Sequence, residues 1–281
     1  MLPAAVQDPA FATLGGDRVV LLGGLNAADS STAAVTELNA GQVQRSSHLP
    51  RVQHDAQAAA LSGAVYIFGG GDLQQYRHIL RYDPASGAVT DAGQLPQAAS
   101  DVAVTAIGDT AYIVGGFNGT QFLDTILAWQ PGGPVRTVAH LPAGVRYAAV
   151  AASDGRVIIA GGSLPSGASS TIYSLNPASG AVARIGRLPR PLTHAAAATL
   201  GSEVYVVGGR GQATGTATSA IDSVDPSNGA VHLVARLPHA LSDAAVIGTG
   251  QSIVIAGGRS DTATLDTIGA LVPHRGHAAG G

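Results

Sequence analysis

Polar side chains stand at one fixed offset from a repeated Leu-Pro pair, and these are the residues with which the chain could do chemistry. Six positions after each leucine come Asp8, Asp55, Asp101, Tyr147, His194 and Asp243; one position earlier come Gln7, His54, Ser100, Arg146, Thr193 and Ser242. Directly after them the sequence turns apolar. Gathered in one place, four carboxyl groups with Arg146, Tyr147, His54 and His194 would form a polar site. Such a site could hold a ligand by charge and hydrogen bonds, or transfer protons. The aspartates recur with the repeat, and a recurring residue first suggests a recurring structural need, here the capping of backbone N–H groups where strands begin. Arg146, Tyr147 and His194 break the repeat, which makes them the more specific candidates. A second set follows a repeated Gly-Gly pair: Gln75, Tyr76 and Arg77 in the varied stretch from Asp72 to His78, then Asn118, Arg210 and Arg259.

Other chemistries find less support. The chain has no cysteine, which removes disulfide frameworks, zinc ribbons and thiol nucleophiles. Equivalent positions of a repeat placed around an axis would lie roughly 8 Å or more apart, too far for one ion to collect the aspartates, so no metal and no cofactor are expected. A triad from Ser100, His54 and Asp55 lacks the sharp strand-to-helix turn that exposes a nucleophile. A net charge of −3 with scattered arginines argues against a nucleic-acid partner. Asn118-Gly119-Thr120 fits the N-glycosylation pattern, but in an alanine-rich chain whose basic residues are all arginine, as GC-rich bacterial genes encode, the match reads as accidental. His274 and His277 read as tail residues.

The elements that must carry these residues follow from the repeat. Apolar runs ending in Gly-Gly finish at Gly23-Gly24, Gly69-Gly70, Gly115-Gly116, Gly161-Gly162, Gly208-Gly209 and Gly257-Gly258, in steps of 46, 46, 46, 47 and 49 residues. Leu-Pro keeps the same period, at Leu2, Leu49, Leu95, Leu141, Leu188 and Leu237. So does an Asx-Pro turn closed by glycine, at Asp83 to Gly87, Asn176 to Gly180 and Asp225 to Gly229. Each repeat parses into four short strands; in the second these are Ala56 to Leu61, Val65 to Phe68, about Arg77 to Tyr82 and about Ala88 to Gly93. Four-stranded antiparallel units of this length are propeller blades. The expectation is therefore an all-β, six-bladed propeller in one domain spanning 1–281, with blades at about 8–49, 55–95, 101–141, 147–188, 194–237 and 243–281. The first strand of each blade is rich in alanine, as in Ala195 to Ala198. Alanine is a poor strand former, but it fits where six strands crowd an axis. The same alanines account for the positive mean hydropathy of +0.24. No apolar run approaches the roughly 20 residues of a membrane span.

The strand ending in Gly-Gly, with a preceding tyrosine at Tyr66, Tyr112 and Tyr205, resembles the kelch repeat. The Asp-Pro-x-x-Gly turn and the Leu-Pro before the next inner strand match it too. The resemblance covers essentially the whole chain and implies the propeller fold, while kelch propellers serve many roles. The copper oxidases resembling galactose oxidase need a cysteine-linked tyrosine, absent here. Sialate mutarotases, six-bladed kelch proteins, are thought to use a glutamate and an arginine at the channel; the two glutamates here, Glu37 and Glu203, fall elsewhere. The family's outer-strand tryptophan is missing, and the single tryptophan, Trp129, falls on the third strand of blade three, which leaves blade packing to aliphatics. The fourth strand of the last blade would have to come from Arg275 to Gly281.

These readings lead to a binding module: a bacterial, extracytoplasmic sensor or interaction domain taking a protein, peptide or glycan at the channel mouth. The start at Met1-Leu2-Pro3, in mid-motif, suggests a domain of a larger or secreted protein. The alternative is a sugar-active enzyme, an epimerase, lyase or hydrolase, built on the same mouth residues. Exposed Phe117, Phe122 and Leu164 would favour a protein partner; a buried Asp–His–Arg cluster would favour a small ligand or a reaction.

Overall fold

The computed structural model describes residues 1–272, and every regular element among them is a β-strand. The chain repeats one antiparallel unit. In the second unit the inner strand, which ends Gln42–Leu61, pairs with Ala64–Gly71, which pairs with His78–Tyr82 and then Val89–Gln94. The third unit runs Ala103–Ile107, Thr110–Val114, Thr125–Trp129 and Arg136–His140 in the same order. The last has three described strands, Ala245–Gly248, Ile253–Ala256 and Ile268–Leu271. The expected strand from Arg275 to Gly281, with His274 and His277, lies outside the described residues. Boundaries differ from expectation where strands run through a Leu-Pro pair, as Ala181–Leu192 does at Leu188-Pro189. Gln42–Leu61 is a single strand of 20 residues that runs through Leu49-Pro50, so the first two units share one seven-stranded sheet.

The inner strands lie side by side in cyclic order, and Ala10–Gly15 packs against Ala245–Gly248 to close the circle. Both faces of an inner strand therefore meet a neighbour. In Ala149–Ser153, Val150 points to the preceding unit while Ala149 and Ala151 point to the following one, as the two-residue period of a strand requires. Alanine wins there because space is short on both sides. The buried apolar residues form six clusters, each bridging two neighbouring units, the sixth joining last to first. Blade packing is not wholly aliphatic. Trp129 lies edge-on to Tyr66 at 4.9 Å and to Phe68 at 5.5 Å, filling the space between the second and third units.

Candidate functional site

The site begins with a backbone device. Gly69 and Gly70 have φ of 62° and 85°, and a Cβ on Gly69 would lie 2.2 Å from the carbonyl oxygen of Ala99. The close approach lets the chain kink and then resume pairing one step outward. The first loop residue after each kink meets the residue before the inner strand: Leu25 with Gln7, Phe117 with Ser100, Ser163 with Arg146, Arg210 with Thr193, and Arg259 with Ser242. Both candidate sets thus lie on one face, as their spacing predicts.

Asp8, Asp55, Asp101, Tyr147, His194 and Asp243 all adopt left-handed backbone, with φ between 50° and 60°. The N–H of each donates to the carbonyl of its counterpart in the preceding unit, and the Asp8 N–H donates to Asp243 at 2.9 Å, which completes a circle of six backbone hydrogen bonds. The repeated structural need is real but is not side-chain capping. It is a conformation that aspartate and histidine tolerate better than most residues. Tyrosine has no such preference, and residues held in sparsely populated backbone regions cost about 1–3 kcal/mol. Adjacent ring residues are in direct backbone contact around the circle.

Because the backbone makes the ring, the six side chains are free to line one end of the axial channel, a cavity of about 360 Å³ whose remaining wall is mostly alanine. Four consecutive positions, Asp243, Asp8, Asp55 and Asp101, form a carboxyl arc. Tyr147 and His194 complete the circle and stack on each other at 3.7 Å. Asp8 follows Asp243 around the ring and Asp101 follows Asp55, so carboxyl groups of neighbouring units adjoin. Burial, and then the neighbouring carboxylates, push Asp8 and Asp55 well above the usual carboxylate range. Burial likewise raises Asp243, despite a hydrogen bond from Ser242.

Arg146 is fixed from several sides. Its Nε pairs with the Asp101 carboxylate, and Nη2 reaches the Tyr147 hydroxyl at 3.3 Å. Its guanidinium stands 4.5 Å from the Phe117 ring, 5.1 Å from Phe122 and 5.0 Å from Tyr147. Phe117 and Phe122, expected as exposed loop residues, are half-buried and hold this arginine; Leu164 is also half-buried. Tyr147 in turn donates to Asp55 Oδ2 at 3.1 Å.

His194 accepts at Nε2 from Arg210 Nη2, 3.1 Å away, since a guanidinium can only donate. Its proton therefore sits on Nδ1 and goes to Thr193 Oγ1 at 3.0 Å, which meets Ser163 Oγ at 2.7 Å. Burial, Arg210 and Arg146 push its pKa down to about 2, so it is a neutral acceptor and a poor base. His54 Nδ1 meets Ser31 Oγ at 2.8 Å, not Ser100, and Ser31 donates to the exposed Asp72 at 2.7 Å. His54 Nε2 lies 3.5 Å from Asp55 Oδ2. The Ser100–His54–Asp55 triad does not form.

A Kelch motif matches residues 98–133, which hold the Gly115-Gly116 kink and its flanking strands. The chain is a β-propeller that carries a Kelch motif. The solved structure of YjhT is similar over 98% of this chain and 97% of its own, with a TM-score of 0.84 at 16% identity. In all, 1037 solved chains match, so the likeness speaks for fold and not for role. No curated protein matches the sequence.

Elsewhere on the propeller's loop face, Arg259 pairs with Asp29 at 3.0 Å, joining the last unit's loop to the first. Gln75 reaches towards Gly119 in the next loop, where an added Cβ would meet its Oε1 at 2.7 Å. Tyr76 donates to the Val52 carbonyl at 3.3 Å and Arg77 to the Leu95 carbonyl at 3.1 Å, which turns both away from the ring. Asn118 accepts from the Thr120 and Gln121 N–H groups and shapes its own turn. Ser31 and Asp29 were not among the expected site residues. Their loop, Asn26 to Ser31, carries only small residues, and where its polar ones go depends on the neighbouring unit. Among the described residues no group of three or more His, Asp or Glu is arranged to hold a metal ion.

Proposed function

We propose that this propeller is a binding module that takes a compact polar ligand, a glycan or the end of a peptide, at the ringed mouth of its channel. The observation that carries the reading is Arg146, held by Asp101 and by three aromatic rings before any ligand arrives. Preorganisation of that kind lowers the entropy cost of binding. Two contacts leave most of its five N–H donors for a partner. Arg210 and Arg259 stand on the same face. The packed state of Phe117 and Phe122 favours a compact ligand over a broad protein surface. The test is a sugar and peptide array probed with the wild type, Arg146→Ala and His194→Ala. Loss of signal in both variants is expected, and binding unchanged in both would reject the site.

One observation favours acid–base chemistry on the bound ligand as a second reading. Asp55, its pKa raised by burial and in contact with the Tyr147 hydroxyl at 3.1 Å, can serve as a general acid. Asp55→Asn would then end turnover of an array-positive sugar while leaving its binding within a fewfold.

A further inference from the structure

We propose that the carboxyl arc recognises a primary ammonium group, so that the ligand of the mouth is an amine; this rests on the mouth being a ligand site and names the group it takes. The arc is unevenly compensated. At its ends Asp101 pairs with Arg146, and Asp243 feels Arg210 and Arg259 and lies 3.8 Å from His194 Nε2. Between them, the charges that act most strongly on Asp8 are other carboxyls, those of Asp243, Asp55 and Asp101. Asp55 faces Asp8, Asp101 and Asp243, the Tyr147 hydroxyl and His54.

The Asp55 side chain is only 9% exposed and lines the channel, yet its Oδ1 is buried with no hydrogen-bond donor. Oδ1 of Asp101, also lining the channel and buried, has none either. Buried acceptors without donors are rare in folded proteins. A metal ion would demand a coordination shell that the arrangement does not offer. An ammonium group brings three donors and no fixed polyhedron, and it can bond two or three carboxylates around an axis.

The exchange balances in charge and protons. The ligand enters as R–NH3⁺ and hydrogen-bonds to carboxylates, and the proton of one buried carboxyl, Asp8 or Asp55, leaves to solvent. A path for it exists from Asp55 through His54 and Ser31 to the exposed Asp72. Uptake should therefore release protons and tighten as pH rises.

Matched pairs of probes test this by calorimetry with the wild-type protein: glucosamine against N-acetylglucosamine, and triglycine with a free against an acetylated N-terminus. Acetylation removes the charge and keeps most of the shape. The free amine of at least one pair should bind roughly tenfold or more tighter than its acetylated partner. Its affinity should rise with pH as long as the probe's own amine stays protonated, below about pH 7.7, with proton release seen as a dependence on the buffer's ionisation enthalpy. Which pair responds distinguishes an aminosugar from a peptide terminus. Asp8→Asn combined with Asp55→Asn should erase the discrimination, asparagine being at home in left-handed backbone. Equal binding of amine and amide, or no binding of either amine, overturns the ammonium assignment. Equal binding that still needs Arg146 would leave the mouth as a site and remove only its cation specificity.

Discussion

A carboxyl group taken out of water beside other carboxyls keeps its proton, and that gives the ring a signature in stability. The folded-state pKa values of Asp8, Asp55 and Asp243 are raised. Between the unfolded value near 4 and the higher folded value, the native state binds more protons, so stability falls as pH rises. Three histidines act in the opposite sense: His54 is lowered, His78 is lowered to about 4 and His194 to about 2, mainly by burial. Their contribution grows as pH rises through about 6.5, where the unfolded chain gives up its protons. The two effects oppose each other below about pH 6.5, and above it the histidines no longer contribute a slope. Asp8→Asn removes one of the carboxyls. Urea unfolding should show the variant equal to or weaker than wild type near pH 4, and more stable by on the order of 1 kcal/mol near pH 8. A difference that does not change with pH would mean that Asp8 is ionised throughout. Arg146→Lys keeps the charge but loses the planar fork; ligand affinity on the array should drop nearly as far as in Arg146→Ala, and full retention would reduce the arginine to a point charge. The identity of these residues was legible as repeat and departure from repeat. The reason for the aspartates was not, because a left-handed φ leaves no trace beyond a residue type that also makes caps and turns.

At the scale of elements, the Gly-Gly kink controls where the loop residues go, and it has two separable parts. A side chain on Gly69 would suffer both the positive φ and the backbone of Ala99, whereas Gly63, in the hairpin turn at φ 78°, has nothing within 4 Å of an added Cβ. Gly63→Ala should cost about 1 kcal/mol, the conformational penalty alone. Gly69→Ala should cost about 2–4 kcal/mol because the neighbouring strand must also shift. Thermal melts of the two variants measure the difference, and equal losses would show that the kink can relax away from Ala99. Strand positions were legible from the same glycines and from the Asx-Pro turns, apart from the inner strand that runs on through Leu49-Pro50 and its partner that continues to Gly71. What eluded the sequence were contacts between units. Trp129 finds Tyr66 and Phe68 some 60 positions earlier, and Glu37, judged irrelevant to the mouth, is buried between Arg18, Arg45 and the Tyr82 hydroxyl. Periodicity describes what each unit shares, and these contacts depend on what single units do not share.

For the whole molecule the deciding question is how the circle closes, since a ring of units is held at its weakest seam. Within the chain, the Leu95 N–H donates to Arg77, Leu141 to Asp124 and Leu237 to Ser219, each at 2.7 Å. At the seam, the Leu2 N–H donates to Asp266 at 2.7 Å, the same bond made by the opposite end of the sequence. The Val6 carbonyl accepts from Gly258 at 2.8 Å, just as Ala99 accepts from Gly70 at 2.9 Å. Leu2 is 6% exposed and packs with Val19, Leu21 and Leu38 of the first unit and Ala245, Ile247 and Ala256 of the last. The segment before the first inner strand, too short to count as a strand, thus completes the edge of the last unit, and the backbone ring from Asp243 to Asp8 depends on it. Leu2→Ala should cost about 2–4 kcal/mol, the range for a buried leucine, and match Leu95→Ala at an internal seam. Removing residues 1–6 should cost more, because it also leaves Gly258 N–H and Asp266 C=O without partners. Denaturant titrations of the three variants, read with amide exchange of the strand Ala245–Gly248, test the seam. Protection of that strand should fall towards that of exposed loops in the truncated protein and stay near wild type in Leu95→Ala. If Leu2→Ala costs less than about 1 kcal/mol, or the truncated protein keeps its protection, the circle is held by something other than its N-terminal segment.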